Sequence, residues 1–395
     1  MPTPINVWPR EANKMVEQRL QRLVDDLEDA DVDACLITHT SDIRWLTGFE
    51  GVFDSEQAHL VLVVRDLALG GPVLFTDTRY SGALRELDAC GRWRIVDERR
   101  PRFAGVAEIL KELFGSWTAS EAVRIAVESD LRLDAYRALR RSLDELDRPA
   151  AGWAKPVELS GLVSHLRAIK DAREIESLKA AQAVTDATYT HMLDYLRPGL
   201  TEREAATELE FFMRRAGADG VAFPSIVASG PNSAIPHAVP GKRAFMRGDI
   251  ILMDFGARLA DYCSDMTRTV VLGEADERQR EMYAAVLAAQ TRVIDSLRVG
   301  MSGQEAQDIA EKVLAAKGFE DKLIHSLGHG VGIDIHELPV LAPKADALLQ
   351  VGHVVTVEPG VYFEGVGGVR IEDYGVMTEE GFESFTQSTH DLIEL

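Results

Sequence analysis

The sequence predicts a two-domain α/β protein, in which an amino-terminal α/β domain precedes an α+β unit present in two copies. Three observations carry this. The chain has 395 residues, more than one small core usually organises. Helical patterns alternate with short β-rich runs from about residue 11 to 147, the pattern of helices covering a sheet. Finally, "LRPGLTEREAATELEFFMRRAG" from Leu196 returns as "LRVGMSGQEAQDIAEKVLAAKG" from Leu297, an offset of 101 residues held through the stretch.

The strands expected in the first part are "DACLIT", "HLVLVV", "GPVLFT", "WRIVD" and "RIAVES". "DRPAAGWAKP", residues 147–156, collects prolines, a glycine and alanines between periodic stretches and reads as a linker. The domains are accordingly placed at 1–158 and 159–395.

Each copy of the repeat opens its helix with a capping box, Thr201 with Glu204 and Ser302 with Glu305, and each follows another helical pattern ending at "LDYLR" or "IDSLR". Strands follow in both. "GDIILMDFGA" aligns with "GHVVTVEPGV", pairing Asp254 with Glu358 at the end of an apolar, buried run. The return strands add Asp265 in "DYCSDMTRTVV" and Glu372 in "GGVRIEDYGVM". Symmetry about "ARLAD" and about Gly365 predicts that Asp254 opposes Asp265 and that Glu358 opposes Glu372. Opposed side chains of antiparallel strands have Cβ atoms about 5 Å apart, and like charges at that distance need a cation between them.

Four converging acids therefore form an oxygen-rich pocket for divalent cations. His329, set among Gly328, Gly330 and Gly332, is the expected imidazole ligand, brought to the acids by a flexible backbone. Asp254, Asp265, His329, Glu358 and Glu372 together can bridge two ions, a pair that activates water and polarises a scissile carbonyl. His237 in "SGPNSAIPHAVPG" and His336 in "GIDIHELP" precede the two hairpins and are expected to line the pocket as hydrogen-bond donors to substrate. His325 is expected to make structural hydrogen bonds. Arg370, on the same strand face as Glu372, would orient a metal-bound acid, bind a substrate carboxylate or form a structural ion pair. Tyr262 and Cys263 are expected only to pack.

Composition bounds the partners. With 64 acidic and 43 basic residues the formal charge is −21, which disfavours nucleic acid and anionic membrane surfaces. Cys35, Cys90 and Cys263 are odd in number and scattered, so neither a disulfide framework nor a CxxC site is expected, and buried free thiols in a reducing compartment are. Neither a signal-peptide pattern nor a membrane-length apolar run occurs, and a cytoplasmic protein is expected.

"MDFGARLADYCSDMTRT", "GHGVGIDIHE", "EPGVY" and "GGVRIED" resemble, in order, the metal motifs of the pita-bread metallopeptidase family, which includes prolidase, aminopeptidase P, methionine aminopeptidase and the metal-free creatinase. "THTSDIRWLTGF" resembles the amino-terminal domain shared by prolidases, aminopeptidases P and creatinases. The resemblance implies a creatinase-like α/β domain followed by a pita-bread domain of two αββ halves related by a pseudo-twofold. It implies that Asp254, Asp265, His329, Glu358 and Glu372 bind two ions, with manganese or cobalt typical and zinc possible. Glu358 would also shuttle a proton, His237 and His336 would polarise the substrate, and the protein would be a homodimer. The activity implied is dinuclear hydrolysis of the imide bond of Xaa-Pro dipeptides. Aminopeptidase P activity on longer Xaa-Pro-Yaa peptides is the alternative, and a catalytically silent peptide- or protein-binding module the further one. The dipeptidase is preferred because the short "EGVGGVRIED" leaves Arg370, or a loop of the first domain, to cap a free proline carboxylate.

Overall fold

The computed structural model describes residues 10–48, 59–84, 87, 92–97, 102–115, 122–145 and 153–395. The chain forms two compact units, Met1–Arg167 and Ala168–Leu395, a division nine residues beyond the expected one at 158.

In the first unit the five expected strands form: β1 (Ala34–Ile37), β2 (Leu60–Val64), β3 (Val73–Thr76), β4 (Arg94–Asp97) and β5 (Val123–Val127). A sixth, β6 (Ala154–Glu158), completes a sheet of order β4-β3-β2-β1-β5-β6. β6 corrects the expected linker: its last residues pair in parallel with β5, Pro156 opposite Ile125. A proline is tolerated there because β6 is the edge strand, with no outer neighbour among the described residues needing its N–H. Residues 147–152 of the expected linker lie outside the described residues. Helices α1 (Arg10–Asp29), α2 (Thr40–Thr47), α3 (Arg102–Phe114), α4 (Leu133–Asp144) and α5 (Ser164–Ala168) accompany the sheet. Val106 and Leu110 of α3 and Leu139 and Leu143 of α4 share one core with Leu36, Leu62 and Ile125, so the alternating pattern packs helices against the sheet.

The second unit repeats itself. The first copy runs α6 (Ala172–Tyr195), α7 (Glu202–Arg215), β7 (Gly220–Val221), β8 (Ile226–Ser229), a 3-10 turn (Gly230–Ala234), β9 (Ile250–Phe255), β10 (Ala257–Leu259), β11 (Tyr262–Cys263) and β12 (Met266–Val271). The second runs α8 (Glu277–Ile294), α9 (Gly303–Ala316), β13 (Gly328–Gly330), β14 (Glu337–Leu341), β15 (Val354–Val357), β16 (Gly360–Phe363), β17 (Gly367–Arg370), β18 (Asp373–Thr378) and β19 (Gly381–Ser384). Both expected capping boxes are present: the Thr201 and Ser302 hydroxyls accept from the Glu204 and Glu305 amides, and each glutamate accepts in return from its cap's N–H. The sheets are ordered β12-β9-β8 in the first copy and β14-β13-β15-β18-β19 in the second, with β16 and β17 as a separate hairpin. Cys35 and Cys263 are buried and free, whereas Cys90 lies outside the described residues. Among the described residues no helix is long and apolar enough to cross a membrane.

Candidate metal centre

Two hairpins deliver the acids. β9 and β15 are wholly buried, and Asp254 falls within the last residues of β9 while Glu358 follows β15 directly. In the second hairpin, Val357 opposes Asp373 and Gly360 opposes Arg370, a register that carries Glu358 to Glu372 as expected, with the turn centred on Gly365. The first hairpin departs from expectation. Asp254 opposes Thr267 rather than Asp265, a shift of two residues. The turn lies at Ala260–Asp261, both left-handed with φ of 50° and 69°, and not at the centre of "ARLAD". Because the shift is even, Asp265 stays on the face of Thr267 and still reaches the acids diagonally.

The hairpins join back to back. The Glu372 amide donates to the Thr267 carbonyl (3.1 Å), and the Thr269 hydroxyl donates to the Arg370 carbonyl (2.8 Å). Asp265, His329 and Glu372 thereby each present a ligand atom within 4.8 Å of the others. His329 Nε2 lies 3.5 Å from Asp265 Oδ2 and 3.4 Å from Glu358 Oε1. Its Nδ1 faces the Gly330 carbonyl at 3.0 Å, which makes Nδ1 the protonated nitrogen and leaves the Nε2 lone pair toward the acids.

The glycines around His329 serve a different end from the expected flexibility. None of the three has positive φ. A Cβ on Gly328 would stand 2.1 Å from the Thr356 carbonyl oxygen and one on Gly330 2.2 Å from that of Leu338. β13 is squeezed between β14 and β15, and glycine permits the approach.

Four carboxylates share this space with one cation, Arg370. Its Nη2 donates to Asp254 Oδ2 at 2.6 Å, its Nε to the Thr267 hydroxyl at 3.0 Å and its Nη1 to the Tyr362 hydroxyl at 3.0 Å. Of the roles expected for it, the geometry favours orienting an acid: Arg370 is 3% exposed and all three of its nitrogens are engaged. It is placed to orient Asp254. One arginine does not balance four acids. Burial, then the charges of Glu372, Asp254 and Glu358, push Asp265 well above the usual carboxylate range. Burial and the neighbouring acids likewise raise Glu372, and burial foremost pushes Glu358 up to about 8. Burial holds His329 down to about 4, keeping it neutral, as a metal ligand must be. Asp254 Oδ1 is buried without any hydrogen-bond partner. An unpartnered carboxylate oxygen beside repelling acids and a neutral imidazole fits divalent cations, and the oxygen-rich donor set fits hard ones.

His237 and His336 are both exposed. Burial raises Asp254 above the usual carboxylate range, against the opposing pull of Arg370 and, less, of these two nearby imidazoles. The His336 ring lies 4.4 Å from that of His329. His325 makes the expected structural bonds, to the Ser326 carbonyl and, at 2.8 Å, to the Tyr362 hydroxyl, so it reaches Arg370 through Tyr362. Cys263 packs with its thiol toward the Ile333 carbonyl, while the Tyr262 hydroxyl donates to Glu174. Three residues of the centre escaped the sequence reading. Thr267 donates to Glu372 Oε2 at 2.7 Å, Thr356 reaches Glu358 Oε1 at 3.3 Å, and Tyr362 links His325 to Arg370. The available signal was even spacing: Thr267 follows Asp265 by two residues and Thr356 precedes Glu358 by two, which places each on its acid's face.

Comparison with known proteins identifies the family. The model of metallopeptidase family M24 matches residues 176–379, and that of the creatinase/prolidase N-terminal domain matches residues 19–169. The Xaa-Pro dipeptidase of Pyrococcus furiosus is 39% identical over 236 residues, 60% of this chain and 68% of that protein. Among solved structures, an Xaa-Pro dipeptidase from Bacillus anthracis is 36% identical with a TM-score of 0.86, over 96% of this chain and 100% of its own. The X-Pro aminopeptidase of Thermotoga maritima MSB8 is 30% identical with a TM-score of 0.79, over 95% and 100%.

Proposed function

Because the chain belongs to metallopeptidase family M24, with a creatinase/prolidase amino-terminal domain ahead of a pita-bread catalytic domain, we propose that it is a prolidase, hydrolysing the imide bond of Xaa-Pro dipeptides. The observation that carries this is the grouping of Asp265, His329 and Glu372, with ligand atoms within 4.8 Å of one another, beside Glu358 at 3.4 Å from His329 and an Asp254 held by Arg370 with one oxygen unpartnered. Relatives named Xaa-Pro dipeptidase support the dipeptide over longer substrates. The likeness to an X-Pro aminopeptidase keeps Xaa-Pro-Yaa peptides as the second reading.

The five residues would hold two divalent cations, with manganese our choice for this oxygen-rich set. When bound, such a pair supplies an activated water and a polarised carbonyl. The chain's own groups do the rest. Glu358 takes the proton of the attacking water on its carboxylate and returns it to the proline nitrogen as the leaving group departs. His237 and His336, exposed at the rim, donate hydrogen bonds to the substrate carbonyl as it gathers negative charge. Arg370 fixes Asp254, and Thr267 fixes Glu372. Proline offers no N–H at the scissile bond, so the bond itself is recognised through ring shape and the carbonyl, which is why these two imidazoles matter. We take the working form to be a cytoplasmic homodimer.

After chelation and manganese addition, Ala-Pro should be hydrolysed and Ala-Pro-Ala should not. Release from the tripeptide alone would replace the dipeptidase by an aminopeptidase, and metal-independent inertness toward both would leave a peptide-binding module. His237→Ala and His336→Ala should each lower turnover with near-normal metal content. Loss of both metals in either variant would reject the rim assignment.

A further inference from the structure

We propose that Glu202 is a positioning residue for His237, its buried carboxylate closing the loop that presents the imidazole. Glu202 opens α7 immediately after the capping Thr201 and is 1% exposed. Its Oε1 accepts from the Ser229 amide (2.9 Å), the Ser229 hydroxyl (2.8 Å) and the Asn232 side-chain amide (2.9 Å). Its Oε2 accepts from the Gly241 amide (3.0 Å). Ser229 and Asn232 precede His237 in the chain and Gly241 follows it, so one carboxylate ties both ends of the segment together. Backbone bonds fix the same junction: the Glu202 amide donates to Arg243 and the Arg203 amide to Gly241. Arg243, bonded to the Ser229 hydroxyl at 2.7 Å and paired with Asp249, brings the compensating positive charge.

An acid in the first turn of a helix is ordinarily accounted for by the partial positive charge there. Here Glu204 already serves the helix end from an exposed position, whereas Glu202 spends its whole acceptor capacity on the loop. The repeat sharpens the contrast. In the second copy the matching position is Gly303, where a Cβ would stand 2.2 Å from the Val340 carbonyl oxygen of β14. There the backbone beyond His336 packs directly on the helix start. In the first copy the segment is irregular and His237 is exposed; Ala238 packs on the core and Arg370 donates to the Pro236 carbonyl within the segment, while the glutamate closes its two ends.

The proposal rests on His237 acting as a donor to the substrate carbonyl, and the test separates the two. Glu202→Gln places an amide N–H against one of the loop's own donors. Amide hydrogen exchange across residues 229–241 should then quicken about tenfold or more while β9 stays protected. Turnover of Ala-Pro by the manganese enzyme should fall about tenfold with KM and metal content little changed, and the fall should vanish in the His237→Ala background, as expected for residues acting through one group. Asn232→Ala, which leaves the carboxylate in place, should give a smaller loss that vanishes in the same background. Unchanged exchange over 229–241, or losses that multiply with His237→Ala, would overturn the proposal. Full turnover in His237→Ala alone would sink the role of that histidine, and the exchange measurement would still accept or reject the clamp by itself.

Discussion

Thr267 joins the two acid-bearing hairpins through one hydroxyl. It donates to Glu372 Oε2 at 2.7 Å and accepts from Arg370 Nε at 3.0 Å, so the orientation of a proposed ligand and of Arg370 depends on it. Thr267→Val keeps the shape and removes both bonds. Outer partners of metal ligands commonly contribute about 10–100-fold in affinity, and that is the weakening expected for manganese binding to the metal-free protein. The buried carboxylate left short of a donor should cost about 1–3 kcal/mol of stability. Calorimetric titration with manganese and urea unfolding measure the two, and an unaltered manganese affinity would remove Thr267 from the account. The acids and His329 were legible in the sequence because the repeat aligns Asp254 with Glu358 and because charges on apolar strands demand compensation. Thr267 and Tyr362 were not, since a β-branched or aromatic residue in a strand is what any strand contains.

Among the elements, β13 carries the tightest demand. It comprises three residues, Gly328–Gly330, and the His329 amide donates to the Thr356 hydroxyl at 3.0 Å across to β15. Gly328→Ala would drive a methyl into the Thr356 carbonyl, which stands 2.1 Å from the added carbon, and backbone cannot turn aside as a side chain can. A loss of about 1–3 kcal/mol is expected from such overpacking, together with a metal stoichiometry below two as His329 shifts. Wild-type stoichiometry in the variant, measured by elemental analysis, would show that the imidazole tolerates the strain. Ser302→Ala, at an exposed cap of the same half, should cost about 1 kcal/mol and leave turnover unchanged. Turn chemistry also explains which hairpin could be read. Gly365, with φ of 75°, advertises the second turn. The first places Ala260 and Asp261 in a conformation that asparagine and glycine usually signal, so its centre was misjudged by one position and its register by two. In the first unit β6 hid behind Pro156, because edge position, which excuses a proline, is a property of the assembled sheet.

On the scale of the whole molecule, the excess of acid becomes a dependence of stability on pH and on metal. Glu358 rises from an ordinary value near 4.5 to about 8 in the folded protein, and Asp265 and Glu372 also rise, all chiefly through burial. For a raised acid the folded state binds the proton more tightly than the unfolded chain does. The stability it confers is therefore complete below the unfolded value and lost as pH climbs to the folded one. His325, His329 and His353 shift oppositely, from 6.5 to about 4, mainly through burial, so their contribution is present above 6.5 and lost as pH falls toward 4. Between about pH 4.5 and 6.5 the two sets oppose each other. Above 6.5 the histidines are spent and the acids act alone, so the metal-free protein should lose stability from there to about pH 8, by an amount on the order of a few kcal/mol. Divalent cations bind the deprotonated acids and cancel the loss, so the gap between thermal midpoints with manganese and with EDTA should widen steadily over the same interval. If the chelated protein kept a constant midpoint from pH 6.5 to 8 while the manganese form gained nothing, the four carboxylates would not be repelling one another, and the reason for placing cations among them would be gone.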